Sequence, residues 1–179
     1  MPKVQITRWL LGAAVVSSLA GLAVRAAEPE DELKAAAVLS FVRYAEWPQG
    51  AAEGPITIGV AGRPAMVATL RRTLAGKIVN NRTVTVVHIK AVEPRCCQVL
   101  YVATDNNKQV HQLLAGIGNP PPLTIGEAER FLESGGAVNL MFVDGHMSFE
   151  VNLDALQRSG IGISSKLLRY GRVKARPSS

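Results

Sequence analysis

Residues 98–103 read Gln98-Val99-Leu100-Tyr101-Val102-Ala103, a polar residue followed by an unbroken apolar run. A strand without polar alternation fits a position covered on both faces, as inside a parallel sheet. The flanking sequence keeps a matching rhythm. Upstream, Ile56 to Ala61 (ITIGVA) is a short β-prone run, and Gly62-Arg63-Pro64 turns it into a helix predicted over 64–75 and closed by Gly76. Thr83 to Ile89 (TVTVVHI) is a second strand, rich in β-branched residues. Downstream, 106–115 reads as a helix, 123–125 as a short strand, and 127–134 as a further helix ended by Gly135-Gly136. Strands alternating with single helices predict an α/β fold, a layered and mostly parallel sheet flanked by helices.

Both flanks of this rhythm differ from it. Before the first strand, the acidic stretch Glu28 to Glu32 with Pro29 suits a helix entry. Leu33, Ala37, Phe41 and Tyr44 then recur at helical spacing, and Pro48 ends that helix near Trp47. Near the C-terminal end, 137–143 and 146–151 flank Asp144-Gly145, a strong signal for an antiparallel hairpin. On its second arm Met147, Phe149 and Val151 point one way, and His146, Ser148 and Glu150 the other. Asn152 caps a helix through Arg158 that Gly160 ends, and Ser164 caps a last helical segment to about Tyr170.

The chain's 179 residues suffice for one domain, and 47% hydrophobic against 19% charged residues excludes wholesale disorder. Residues 1–26 stand apart from that domain. Lys3 and Arg8 are followed by sixteen uncharged residues from Trp9 to Val24, then by Val24-Arg25-Ala26 with small residues where a signal peptidase reads. The apolar run is shorter than the ~20 residues that span a bilayer. The expected organisation is a cleaved secretory signal peptide over 1–26 and a single domain over 27–179. Export removes cytoplasmic nucleic acids from reach. The formal charge of +6 no longer argues for them, because Lys3, Arg8 and Arg25 carry half of it. Residues 155–179 hold Arg158, Lys166, Arg169, Arg172, Lys174 and Arg176 with no acid, so the body over 27–154 is mildly acidic. That basic end suits weak contact with an anionic membrane surface.

No catalytic constellation is legible. His88, His111 and His146 lack a second ligand at zinc spacing, so no metal site is assigned. Gly59 to Gly62 lies at a strand-to-helix turn but lacks the dinucleotide and P-loop patterns, so no cofactor is assigned. Ser164-Ser165-Lys166 is explained more economically by capping than by a Ser/Lys nucleophile pair. Cys96 and Cys97 are adjacent in an oxidising compartment and are the redox candidates. Neighbouring Cα atoms, about 3.8 Å apart, sit too close for an unstrained bridge. Two buried thiols are the favoured state, with an intermolecular disulfide as the alternative.

With these segments laid out, the chain resembles the YfiR-like family of bacterial periplasmic proteins. The matching pieces are Lys34-Ala35-Ala36 through Phe41 to Glu46-Trp47-Pro48, then ITIGVAG at 56–62, and Leu74-Ala75-Gly76-Lys77 before Asn81-Arg82. They continue with Cys97-Gln98-Val99-Leu100-Tyr101-Val102. The strongest stretch runs from Gly135-Gly136 through Phe149-Glu150-Val151-Asn152-Leu153 and Gly160 to Ile163-Ser164-Ser165-Lys166-Leu167-Leu168. The resemblance implies a small α/β domain of Rossmann-like topology without a dinucleotide fingerprint. It implies a regulator, not an enzyme, that restrains an inner-membrane diguanylate cyclase or related sensor through its periplasmic portion, and so modulates cyclic-di-GMP and biofilm formation. The family's best-known pattern carries two disulfides, and only Cys97 falls on a matching position here, so disulfide gating does not carry over. Candidate partner-binding residues are His146, Ser148, Glu150 and Asn152 on the hairpin side, with Ser165, Lys166 and Arg169 beyond it. Capping and hairpin pairing are the favoured explanation of Glu150, Asn152 and Ser164. A second copy of the chain is a further candidate partner. The alternative reading is a periplasmic small-molecule sensor with its pocket at the C-terminal ends of the parallel strands.

Overall fold

The computed structural model describes residues 27–48, 54–90 and 97–174; the expected signal peptide over 1–26 and Cys96 lie outside the described residues. In chain order, α1 (Ala27–Tyr44) leads directly into β1 (Ala45–Glu46), and β2 (Ile56–Gly62) is followed by α2 (Pro64–Leu74). Next come β3 (Ile78–Val79), β4 (Arg82–His88), β5 (Val99–Ala103), α3 (Asn107–Ala115) and β6 (Leu123–Gly126). The hairpin strands β7 (Val138–Val143) and β8 (His146–Asn152) precede α4 (Leu153–Ser159), β9 (Gly162–Ile163), α5 (Ser165–Leu168) and β10 (Arg172–Lys174).

The main sheet has the order β10-β8-β7-β6-β5-β2-β4-β3. Strands β4, β2, β5, β6 and β7 run parallel, while β3, β8 and β10 complete the edges as antiparallel or hairpin-linked additions. β1 and β9 form a separate antiparallel pair. The fold is therefore the expected α/β class with a mostly parallel sheet. β5 is its central strand, and every one of its residues is buried. Val99, Tyr101 and Ala103 belong to the larger core on the α1 and α2 side. Leu100 and Val102 join the smaller core with Val110 of α3, Phe131 and Leu132. That two-sided burial is the physical reason for the unbroken apolar run.

Three local readings are corrected. The stretch 127–134 is not a helix but a series of tight turns. Its backbone hydrogen bonds shift spacing, from Phe131 N–H to Ala128 O, then Ser134 N–H to Arg130 O, then Gly136 N–H to Phe131 O. The buried Phe131 ring organises these turns, because a Cβ at Gly126 or Gly136 would come within 2.3 or 2.2 Å of it. α1 ends at Tyr44 rather than near Trp47, since Ala45 and Glu46 pair with Ile163 and Gly162. Its buried stripe is Ala35, Val38, Phe41 and Val42, whereas Leu33 and Tyr44 are exposed. A second hairpin, between β3 and β4, turns at Asn80-Asn81, whose positive φ values of 49° and 61° are those of a type I′ turn. Asp144 and Gly145 make the expected turn in the same way, at 50° and 77°.

Candidate functional site

The strand order reverses beside β2: the chain goes from β2 through α2 to β4 on one side, then crosses to β5 on the other. The crevice outside the carboxyl ends at such a point is where open α/β sheets place ligands. Gly62 pairs with Ala103 and Val102 with Gly126, so Arg63, Thr104 and Glu127, each one residue past its strand, sit close together. Gly62 permits this closeness, with φ of 111° and a position where a Cβ would come within 2.2 Å of the Ala103 carbonyl oxygen. The Arg63 N–H donates to that same oxygen at 3.0 Å. α1 lays Asp31 and Lys34, one helical turn apart, against the same ends.

These side chains form one network. The Arg63 guanidinium grips Asp31 with two bonds, Nη1 to Oδ2 at 3.1 Å and Nη2 to Oδ1 at 3.0 Å. Its Nε and Nη2 also donate to Glu127. Glu127 Oε2 accepts from Lys34 Nζ at 2.8 Å and from the Tyr101 hydroxyl at 3.1 Å. Lys34 further pairs with Glu30 at 2.7 Å. The Asp31, Lys34 and Glu127 side chains are nearly buried, whereas Arg63 is partly open to solvent. Beside the network lies a cavity of about 340 Å³, lined by these charged groups together with Thr104 and Asp105.

The charges tune one another. Hydrogen bonding to Asp31, opposed by burial and helped by Glu127, raises the Arg63 pKa above its ordinary value. Burial pulls the Lys34 ammonium towards neutrality, but hydrogen bonds and attraction from Glu127 and Glu30 overcome it and raise its pKa. Burial, then the charge of Glu127 and the bond to it, pushes the Tyr101 phenol well above the usual tyrosine value. The network thus holds Arg63 and Lys34 in their charged forms and Tyr101 as the neutral phenol, and activates none of the three as a nucleophile. Reading the sequence gave a functional role to none of Asp31, Lys34, Tyr101, Arg63 or Glu127. The available signal was position, since Arg63 and Glu127 each follow directly on a strand of the parallel sheet.

The residues named from the sequence lie elsewhere. His146 is exposed and opposite Val143, Ser148 is half-buried opposite Met141, and Glu150 is half-buried opposite Asn139. Asn152 accepts from Ala155 N–H at 3.1 Å, capping α4, and donates from Nδ2 to Leu132 O. Ser165, Lys166 and Arg169 are exposed on and just after α5, where Arg169 lies over the Tyr170 ring at 5.3 Å. The two groups are not brought onto one face. Phe149 meets Phe41 of α1, and α5 also packs on α1, so α5 lies on the Phe149 side. His146, Ser148 and Glu150 alternate with Phe149 and face the other way. Between the groups runs β10, the edge strand of the sheet among the described residues. Cys97 is buried at the entry to β5, beside Gly59. Among the described residues no group of three or more His, Cys, Asp or Glu side chains could hold a metal ion.

Comparison with known proteins agrees with this architecture. A solved structure of a conserved domain protein from Vibrio cholerae O1 biovar eltor superposes with a TM-score of 0.53 over 80% of this chain at 13% identity. The present chain spans 60% of that one, and the likeness is one of fold. The family model described as YfiR/HmsC-like matches residues 31–172, from the acid that grips Arg63 to the first residue of the edge strand. The chain belongs to the YfiR/HmsC-like family.

Proposed function

We propose that this chain is a periplasmic regulatory binding protein that restrains a membrane-bound signalling protein, a diguanylate cyclase or related sensor, and so modulates cyclic-di-GMP and biofilm formation. The observation that carries the reading is family membership over residues 31–172. The YfiR/HmsC-like family is one of periplasmic regulators of diguanylate cyclases, and its members are not known as enzymes. The leader-like sequence of 1–26 supports export, leaving a domain over 27–179. For the partner surface, the reading takes the β10 edge with its two flanks, His146, Ser148, Glu150 and Asn152 on one side and Ser165, Lys166 and Arg169 on the other. A partner gripping that edge reaches both groups. A second copy of the chain is the competing occupant of the same edge.

Deleting the gene should raise cellular cyclic-di-GMP, and the purified protein should capture the periplasmic portion of the cyclase it restrains. Replacing His146 and Lys166 together by Glu should weaken that capture while leaving the fold intact. Unchanged cyclic-di-GMP together with no capture would overturn the proposal. A second reading, a small-molecule sensor module, is favoured by one observation, the cavity at the carboxyl ends of β2, β5 and β6.

A further inference from the structure

A second cavity, of about 260 Å³, lies at the amino ends of β6 and β7, the opposite end of the sheet from the charged network. Leu114 and Ile117, at and just beyond the end of α3, and Pro121 and Pro122, just before β6, give it apolar walls. The Leu113 and Leu114 carbonyls at that helix end already accept from the N–H groups of Gly116 and Ile117. Three polar side chains line the same space: Thr124 of β6, Ser134 in the turns before β7, and Arg158 in the last turn of α4.

Arg158 carries the one charge in that lining, and no acid of the described residues faces it. Arg63 spends Nε, Nη1 and Nη2 on carboxylates. Arg158 has no ion-pair partner among the described residues, and its hydrogen bond is a long one, 3.5 Å from Nη2 to the Gly135 carbonyl. Thr124 adds an independent observation. It is 4% exposed, and its Oγ1 accepts from the Ala137 N–H at 2.9 Å, while its own proton has no acceptor among the described residues. A buried donor left in this state costs free energy unless something enters to accept from it. The half-buried Ser134 hydroxyl also makes no hydrogen bond among the described residues. A guanidinium fork and two hydroxyls beside apolar walls match a carboxylate on a compact apolar body. We infer that the cavity binds a small monocarboxylate, its oxygens taken by Arg158 and Thr124 and its hydrocarbon part set against Leu114, Ile117, Pro121 and Pro122. The volume falls below the ~300–1,000 Å³ of drug-sized pockets, which keeps the ligand small. A cation would meet Arg158, and a phosphate would leave the apolar walls unfilled. The site is separate from the β10 edge and from the cavity at the carboxyl ends, so the inference goes beyond both readings above.

The test is calorimetric titration of the purified protein at low ionic strength with isovalerate and benzoate, and separately with isopentylamine and inorganic phosphate. Saturable binding of a carboxylate is expected, weakened about tenfold or more by Arg158→Gln. Arg158 is exposed, so that variant should keep its circular dichroism and melting profile. Thr124→Val should weaken binding as well, whereas Thr124→Ser, which keeps the hydroxyl and its bond to Ala137, should stay near the parent affinity. Unchanged carboxylate affinity in Arg158→Gln overturns the proposal. Binding of isopentylamine or phosphate as tight as that of the carboxylates overturns it too, and so does failure of both carboxylates to bind at millimolar concentration. Capture of the membrane protein is read separately, so either result leaves the regulatory proposal to its own test.

Discussion

Glu127 accepts hydrogen bonds from three side chains that come from three elements, Lys34 of α1, Arg63 at the head of α2 and Tyr101 of β5. Removing a buried charge of this kind strands its partners, which costs more than the bonds themselves are worth in water. Tyr101→Phe is the milder probe, deleting one charge-assisted bond, and a loss of about 1.5–3 kcal/mol in denaturant unfolding is expected. The pH dependence follows from the raised pKa values of Lys34 and Tyr101. Each group binds its proton more tightly in the folded state, so its contribution is complete below the unfolded value, roughly pH 10 for both. That contribution is lost as pH rises through the folded values. Stability should therefore hold to about pH 10 and fall beyond it. The Tyr101 phenolate absorbance should emerge together with loss of circular dichroism, and that step should be missing in Tyr101→Phe.

At the level of elements, Asn152 separates a structural from a binding role. Its side chain caps α4 and ties the strand to the turn at Leu132. Asn152→Ala should cost about 1 kcal/mol, whereas Asn152→Asp, which also caps, should restore most of that stability in thermal melts. Partner capture that drops in the Asp variant as well would assign the residue to the interface. The same cap, like the strands β2, β5 and β8 and the helix α2, was legible because local chemistry and burial agree there. α1 was legible as a helix but not in its orientation. Its apolar residues surround the axis widely enough that Leu33 and Tyr44 could serve as well as Val38 and Val42. What decides between them is tertiary, the packing on α2 and the pairing of Asp31 and Lys34 with Arg63 and Glu127 just past the ends of β2 and β6. Periodicity likewise could not tell the turns over 128–135 from a helix, because the deciding contact is Phe131 against Gly126 and Gly136. The Asn80-Asn81 hairpin did carry a signal, two residues that tolerate positive φ, but the strand before it is only two residues long.

Across the whole molecule, charge is polarised. Four acids, Glu30, Asp31, Asp105 and Glu127, gather at the strand ends, while the basic residues Arg169 and Arg172 stand at the far edge with the strand β10, where Arg172 is in register with Glu150. We propose that this edge also meets an anionic lipid surface weakly. Vesicles containing anionic lipid should retain the protein at low salt and release it as ionic strength approaches physiological, and Arg172→Glu with Lys174→Glu should abolish retention. Co-sedimentation that is indifferent to both salt and charge reversal would sink that idea. The network at the strand ends carries one more consequence, for the order in which the molecule can be assembled. A chain that emerges N-terminus first exposes α1 before anything else of the fold. Lys34 cannot be neutralised by Glu127 until residue 127 has followed, and the Asp31 grip on Arg63 shares that same carboxylate. The earliest helix to appear can thus lay its apolar stripe on α2 early, while its charged end is completed only after most of the chain has been delivered.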